Sequence, residues 1–210
     1  MKIIELLIDE LDKMTGVDAV ALVEDPAIEA NFFAFKSENQ DVEESILLNL
    51  IKFSIQEHTS EESFKEVQEG TTKRQFAMME DQQMIVGPLM IPDKLIMRVD
   101  EEGEPYFVYF SKKTIQTIAQ KVMRDNHLHN LNIEHNEDNS VDGYMVSTWL
   151  IEDEVMDKQQ VYGFSYPKGT WMGQYKIEDL SVWNKVKEGE IKGFSIEGFF
   201  NDRFVQAKAQ

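Results

Sequence analysis

Between about residues 75 and 202 the apolar residues of this chain come in short runs of strand length, each closed by turn residues. Runs that short cannot build a helical bundle, whose helices need an apolar stripe sustained over ten or more residues. Strands are expected at 76–79, 84–91, 95–99, 106–110, 131–135, 144–151, 161–166 and 171–177, with the turn Asp100-Glu-Glu-Gly-Glu-Pro105 between the third and fourth. Two helices interrupt them. Ser111 is placed to cap one that runs to about Arg124 on a stripe of Ile115, Ile118, Ala119 and Val122. The other covers 180–187 and is closed by Gly189. A final strand starts at Phe194. The expected fold class is α+β: a strongly curved or barrel-like, mostly antiparallel sheet with flanking helices.

Two regions precede this domain at 75–210. Residues 1–36 read as a strand-rich segment, with apolar runs in MKIIELLID and GVDAVALV and a stop at Asp25-Pro26, since proline cannot sit inside a central strand. Residues 37–74 are rich in Glu, Gln and Ser. There Asp41 and Glu44 form a helix-start signal, and Val42, Ile46, Leu47, Leu50 and Ile51 recur at helical spacing, so an N-terminal helical arm is expected.

The balance of 21 basic against 39 acidic residues gives a net charge of −18. Nucleic-acid binding needs cations to displace counterions from phosphate, so DNA and RNA are not expected partners. No stretch approaches the roughly 20 apolar residues of a membrane span. The N-terminus lacks a signal peptide's apolar core, which favours an intracellular location. The chain has no cysteine, so thiolate catalysis and zinc–thiolate sites are excluded, and covalent catalysis would fall to Ser, Thr, Lys or a carboxylate.

The most informative segment is Ile191-Lys-Gly-Phe-Ser-Ile-Glu-Gly-Phe-Phe200. On a strand, Phe194 and Ile196 point to the face opposite Ser195, so they can bury while the hydroxyl faces a site. Gly193 permits a sharp exit from the preceding helix, and Gly193 and Gly198 leave room for another backbone. The nucleophile elbow G-x-S-x-G is absent, because Glu197 holds the fifth position and the order is helix to strand. By residue type alone Ser195 could equally be a small polar residue on a strand.

A serine nucleophile needs a base, and histidine is the usual one. Of the four histidines, His58 lies in the acidic arm, and His127 and His129 lie in the loop Asp125-Asn-His-Leu-His-Asn130. His135 closes Leu131-Asn-Ile-Glu-His135, where it shares strand parity with Leu131 and Ile133. His127, His129, His135 and Asp138 are also metal-ligand types within a short span, but the spacing is weak and no metal or cofactor is assigned.

The region 75–200 resembles the XkdF-like serine proteases of tailed phages, relatives of the prohead proteases and of herpesvirus assemblin. Four blocks carry the resemblance in order: Asn132-Ile-Glu-His-Asn-Glu-Asp138, Val146-Ser-Thr-Trp-Leu-Ile-Glu152, Gly169-Thr-Trp-Met-Gly-Gln-Tyr-Lys-Ile177, and W-x-x-V-K-x-G-E-I-K-G-F-S-I-E-G over 183–198. The resemblance implies an assemblin-like fold with Ser195 as nucleophile and His135 as base. For the third catalytic residue it leaves Asp202 as first choice, with Glu197, Glu152 and Asp138 as alternatives. It further implies a capsid-maturation endopeptidase acting inside the prohead, and in the host cytoplasm during assembly. The expected partners are capsid and scaffold proteins, with the portal and self-association also open. The competing expectation is an inactive internal or portal-associated virion protein on the same fold.

Overall fold

The computed structural model describes residues 2–34 and 82–204. The expected helical arm at 37–74 and the strand at 76–79 lie outside these residues. The described part is mostly β, with twelve strands and two α-helices. The strands are β1 (Ile3–Leu7), β2 (Gly16–Val23), β3 (Phe33–Ala34), β4 (Met84–Met90), β5 (Ile96–Val99), β6 (Pro105–Tyr109), β7 (Leu131–Ile133), β8 (Asn136–Ser140), β9 (Gly143–Leu150), β10 (Trp171–Ile177), β11 (Gly193–Phe199) and β12 (Asn201–Phe204). The helices are α1 (Lys112–Asp125) and α2 (Leu180–Glu188).

The expectation of one curved or barrel-like sheet in an α+β fold is corrected by the pairing. The strands form three separate four-stranded sheets, ordered β12-β1-β6-β5, β3-β4-β10-β9 and β11-β2-β7-β8, and none closes on itself. The reason is non-local. β1 takes an inner position in the first sheet, parallel to β6 and antiparallel to β12. β2 takes an inner position in the third, antiparallel to β11 and parallel to β7. The N-terminal strands therefore divide the later strands between different sheets, and no local periodicity carries that information. The described N-terminal residues are strand and turn, and none is α-helical.

Local chemistry sets the element ends, at Ser111 and Gly189 as expected. Ser111 caps α1 by accepting from the Thr114 amide, and Ile115, Ile118, Ala119 and Val122 are its buried stripe. Asp179 caps α2, its carboxylate accepting from the amides of Ser181 and Val182 at 2.8 and 3.2 Å. The Ser181 hydroxyl and these amides hold the Asp179 carboxyl below its ordinary range. Gly189 ends α2 in the left-handed region at φ 76°. The chain reaches β11 four residues later, so Gly189 makes the exit that Gly193 was expected to make. Gly193 is required for a different reason: a Cβ there would stand 2.7 Å from the Pro26 ring.

One expected strand is not formed. Residues 161–166 belong instead to a 3-10 turn (Lys158–Tyr162) and the loop after it. The fully buried Gln159 amide replaces a strand partner, donating to Tyr166 O at 3.1 Å and accepting from Tyr166 N at 2.7 Å.

The core joins the three sheets. Phe194 of β11 is 1 % exposed and meets Phe32 and Tyr175, each with ring centroids 5.3 Å away. Burial pushes the Tyr175 hydroxyl far above its ordinary pKa. Phe194→Ala is expected to cost about 3–5 kcal/mol in urea unfolding, the range for a buried aromatic truncated to Ala. Asp179→Ala is expected to cost about 1 kcal/mol at neutral pH through loss of the cap. The depressed carboxyl contributes above its unfolded pKa and loses its contribution as pH falls through the folded one. The difference between wild type and Asp179→Ala should therefore shrink in acid and be fully present at neutral pH.

Candidate active site

Ser195 lies in the middle of β11, paired with Ala21 of β2, and is 7 % exposed. Its neighbours behave as the alternation requires: Phe194 is in the core and Ile196 packs against it. Glu197 follows at the same parity, so it shares the face of Ser195. A register shift between Glu197 and Gly198 ends regular pairing there. A Cβ on Gly198 would run into the Gly16 carbonyl, so only glycine allows β2 this close.

His135 is not on the strand where it was expected. β7 ends at Ile133 and β8 begins at Asn136, opposite it, so Glu134 and His135 form a two-residue hairpin loop. Both have positive φ, 52° and 58°. Two left-handed residues in succession are the signature of a type I′ turn, which usually takes Asn-Gly. Non-glycine residues there store strain that the surroundings must hold. Glu134 supplies two restraints: its carboxylate accepts from the Glu24 amide at 2.7 Å, and its amide donates to Leu22 O at 3.2 Å. The turn thus rests on the end of β2, the strand that pairs with β11.

This brings His135 against Glu197. His135 Nδ1 stands 3.2 Å from Glu197 Oε1, with the two side chains 45 % and 21 % exposed. The same oxygen accepts from Asn132 Nδ2 at 2.6 Å. Asn132 is a buried residue of β7, and its own Oδ1 has no hydrogen-bond partner among the described residues. One carboxylate oxygen therefore faces both a buried amide, which donates to it, and the Nδ1 side of the imidazole.

Ser195, His135, Glu197 and Asp202 all line one cavity of about 440 Å³. Asp202, on β12 opposite Leu6, lies in its wall, but the carboxylate against His135 is Glu197. Among the described residues no hydrogen bond joins Ser195 to His135; such bonds are often long in a free enzyme and tighten with substrate. The other two described histidines, His127 and His129, lie elsewhere, and His58 is outside the described residues. His127 Nδ1 lies 3.0 Å from Val17 O, and His129 meets Tyr144 edge-on. Among the described residues no three His, Cys, Asp or Glu side chains gather as metal ligands, and no helix is long and apolar enough to cross a membrane.

A hydroxyl, an imidazole and a carboxylate at one cavity are the groups of a serine hydrolase. The family comparison gives the same class. The family model described as "Putative phage serine protease XkdF" matches residues 72–203, and this chain belongs to that family. No curated protein and no solved structure matches the chain.

The part that sequence reasoning ranked low is Glu197. Its parity with Ser195 was visible, but its partner Asn132 is brought near only by β2, which lies between β11 and β7. Glu134→Ala removes a carboxylate acceptor and leaves a strained turn with only its backbone restraint, the Glu134 amide to Leu22 O. It is expected to cost about 1–2 kcal/mol in chemical denaturation and to raise amide exchange in the β7–β8 hairpin.

Proposed function

We propose that this protein is the endopeptidase that cuts scaffold and capsid-protein segments during phage head assembly. The observation that carries the reading is the contact of Glu197 with His135 at the cavity that Ser195 also lines. Membership of the phage serine protease family supplies the reaction class.

In this reading Ser195 Oγ attacks the scissile carbonyl carbon while His135 Nε2 takes its proton. The tetrahedral intermediate collapses as the imidazolium returns that proton to the leaving amine, and an acyl-enzyme ester remains on Ser195. Water, deprotonated by His135, attacks the ester, and the proton returns to Ser195 as the carboxylic acid leaves. Glu197 takes the orienting role first given to Asp202. It holds the Nδ1–H tautomer and stabilises the imidazolium as it forms. Asn132 holds Glu197.

The net charge of −18 fits a protein that acts before DNA fills the shell, since it would bind nucleic acid poorly. Capsid and scaffold chains, with the portal, are the partners proposed, and the interior of the prohead is the proposed site of action.

Co-expression with the capsid and scaffold proteins of the same phage tests this. The wild-type chain should shorten the capsid protein, and Ser195→Ala should leave it full length. Processing by Ser195→Ala, or none by the wild type, would contradict the reading and favour an inactive virion component. Glu197→Gln is expected to lower kcat by about 100-fold or more with KM nearly unchanged, because it acts on proton transfer and not on binding. Asp202→Asn should leave kcat within about 10-fold.

A further inference from the structure

Glu197 lines two cavities. One is the cavity it shares with His135 and Ser195, and the other has a volume of about 620 Å³. The strand register locates the second. Ser195, Ala21, Asn132 and Ser140 are successive partners across β11, β2, β7 and β8, and Glu197 is the partner of Ala19. Phe194, Val20, Leu22 and Leu131 take the alternate positions and are buried in the core on the opposite face. Ala19, Asn132, Ser140 and Glu197 share the other face and all line the second cavity, where the small Ala19 side chain leaves room.

Its permanent charges have one sign. Asp18, Glu137 and Glu197 line it, and no Lys or Arg does. His129 stands in its wall, edge-on to Tyr144, and His127 Nδ1 is 3.8 Å from Asp18 Oδ1. A solvated acidic face would account for the carboxylates alone. Asn132 adds what such a face lacks. It is 4 % exposed, its Nδ2 donates to Glu197, and its Oδ1 is a buried acceptor with no partner among the described residues. Buried acceptors are normally met by a donor. The cavity thus presents three carboxylates and an amide oxygen, all acceptors. Among the described residues no three acids or histidines gather closely enough to hold a metal ion. Acceptors spread through a space of this size fit a larger cation, and the guanidinium carries five N–H donors in one plane.

We propose that this second cavity binds the guanidinium of an arginine side chain from a partner protein, and that the bound cation restrains the reactivity of Ser195 through Glu197. A net charge of −18 draws cations toward the surface, and the cavity gives one of them acceptors on several sides. A guanidinium that donates to Glu197 shares the carboxylate with His135, 3.2 Å away from it. A second positive charge so near disfavours the imidazolium that the proposed reaction must form. The partner would act as a brake, released when it leaves. The inference rests on the protease reading for its effect on Ser195, but the binding is measured without any reaction.

The test titrates the full-length 15N-labelled protein with n-butylguanidinium at constant ionic strength. Beside it run n-butylurea, a neutral analogue of the same shape, and a Gly-Ser peptide with one central Arg. The Asn132 side-chain amide should shift to saturation with the cation, at an affinity about 10-fold or more above that of the urea. The Arg peptide should bind at least as tightly as the free cation, and a peptide bound about 10-fold more weakly would overturn the assignment to a protein's arginine. The double variant Asp18→Asn/Glu137→Gln should lose about 10-fold in affinity for the cation, with its remaining resonances in place to show that it is folded. Fluorophosphonate labelling of Ser195 should slow about 10-fold at saturation in the wild type and far less in the double variant. Equal binding of cation and urea, no shift of Asn132 by about 50 mM cation, or undiminished binding by the double variant would overturn the proposal. Saturable binding with an unchanged labelling rate would overturn the brake. A protein that binds the cation but is never labelled at Ser195 supports the site and counts against the protease reading. Labelling of a chain that fails the binding test overturns this proposal alone.

Discussion

The pairing of β2 with β11 on one side and β7 on the other is the interaction on which the site depends. It fixes Ser195 opposite Ala21 and carries the β7–β8 hairpin to the neighbouring position, where Asn132 and His135 both reach Glu197. Gly198 makes the approach possible, since any side chain there would meet the Gly16 carbonyl. A chain lacking β2 would keep the segments of Ser195 and His135 and lose the strand that lies between them.

The second constraint is strain. A side chain on a hairpin tip would ordinarily wander, and two consecutive left-handed residues make this tip costly. Glu134 offsets that by accepting from the Glu24 amide, and Glu197 Oε1 stands 3.2 Å from the ring nitrogen Nδ1. Such costs are tolerated where a precise side-chain position matters, and here they surround one imidazole.

What the chain reveals of itself before folding is local. Ser111 and Gly189 mark helix ends because capping needs only neighbouring amides and a left-handed residue. Ser195 and its apolar flanks were legible because alternation is a property of one strand. Three features were not. The polar strand Asn136–Ser140 is exposed throughout and has no apolar period to announce it, so His135 passed for a strand end when it is a turn residue. Residues 161–166 have strand-like composition, yet Gln159 satisfies their backbone from a 3-10 turn. The division into three sheets depends on where β1 and β2 insert, which is decided by pairing across most of the chain.

The central claim is that Ser195 is a nucleophile made reactive by His135. Treatment of the purified full-length protein with a fluorophosphonate, followed by mass spectrometry, tests it most directly. The account predicts a single phosphonyl adduct, on Ser195, which does not form in His135→Ala. No adduct on Ser195, or one that forms as fast without His135, would contradict it.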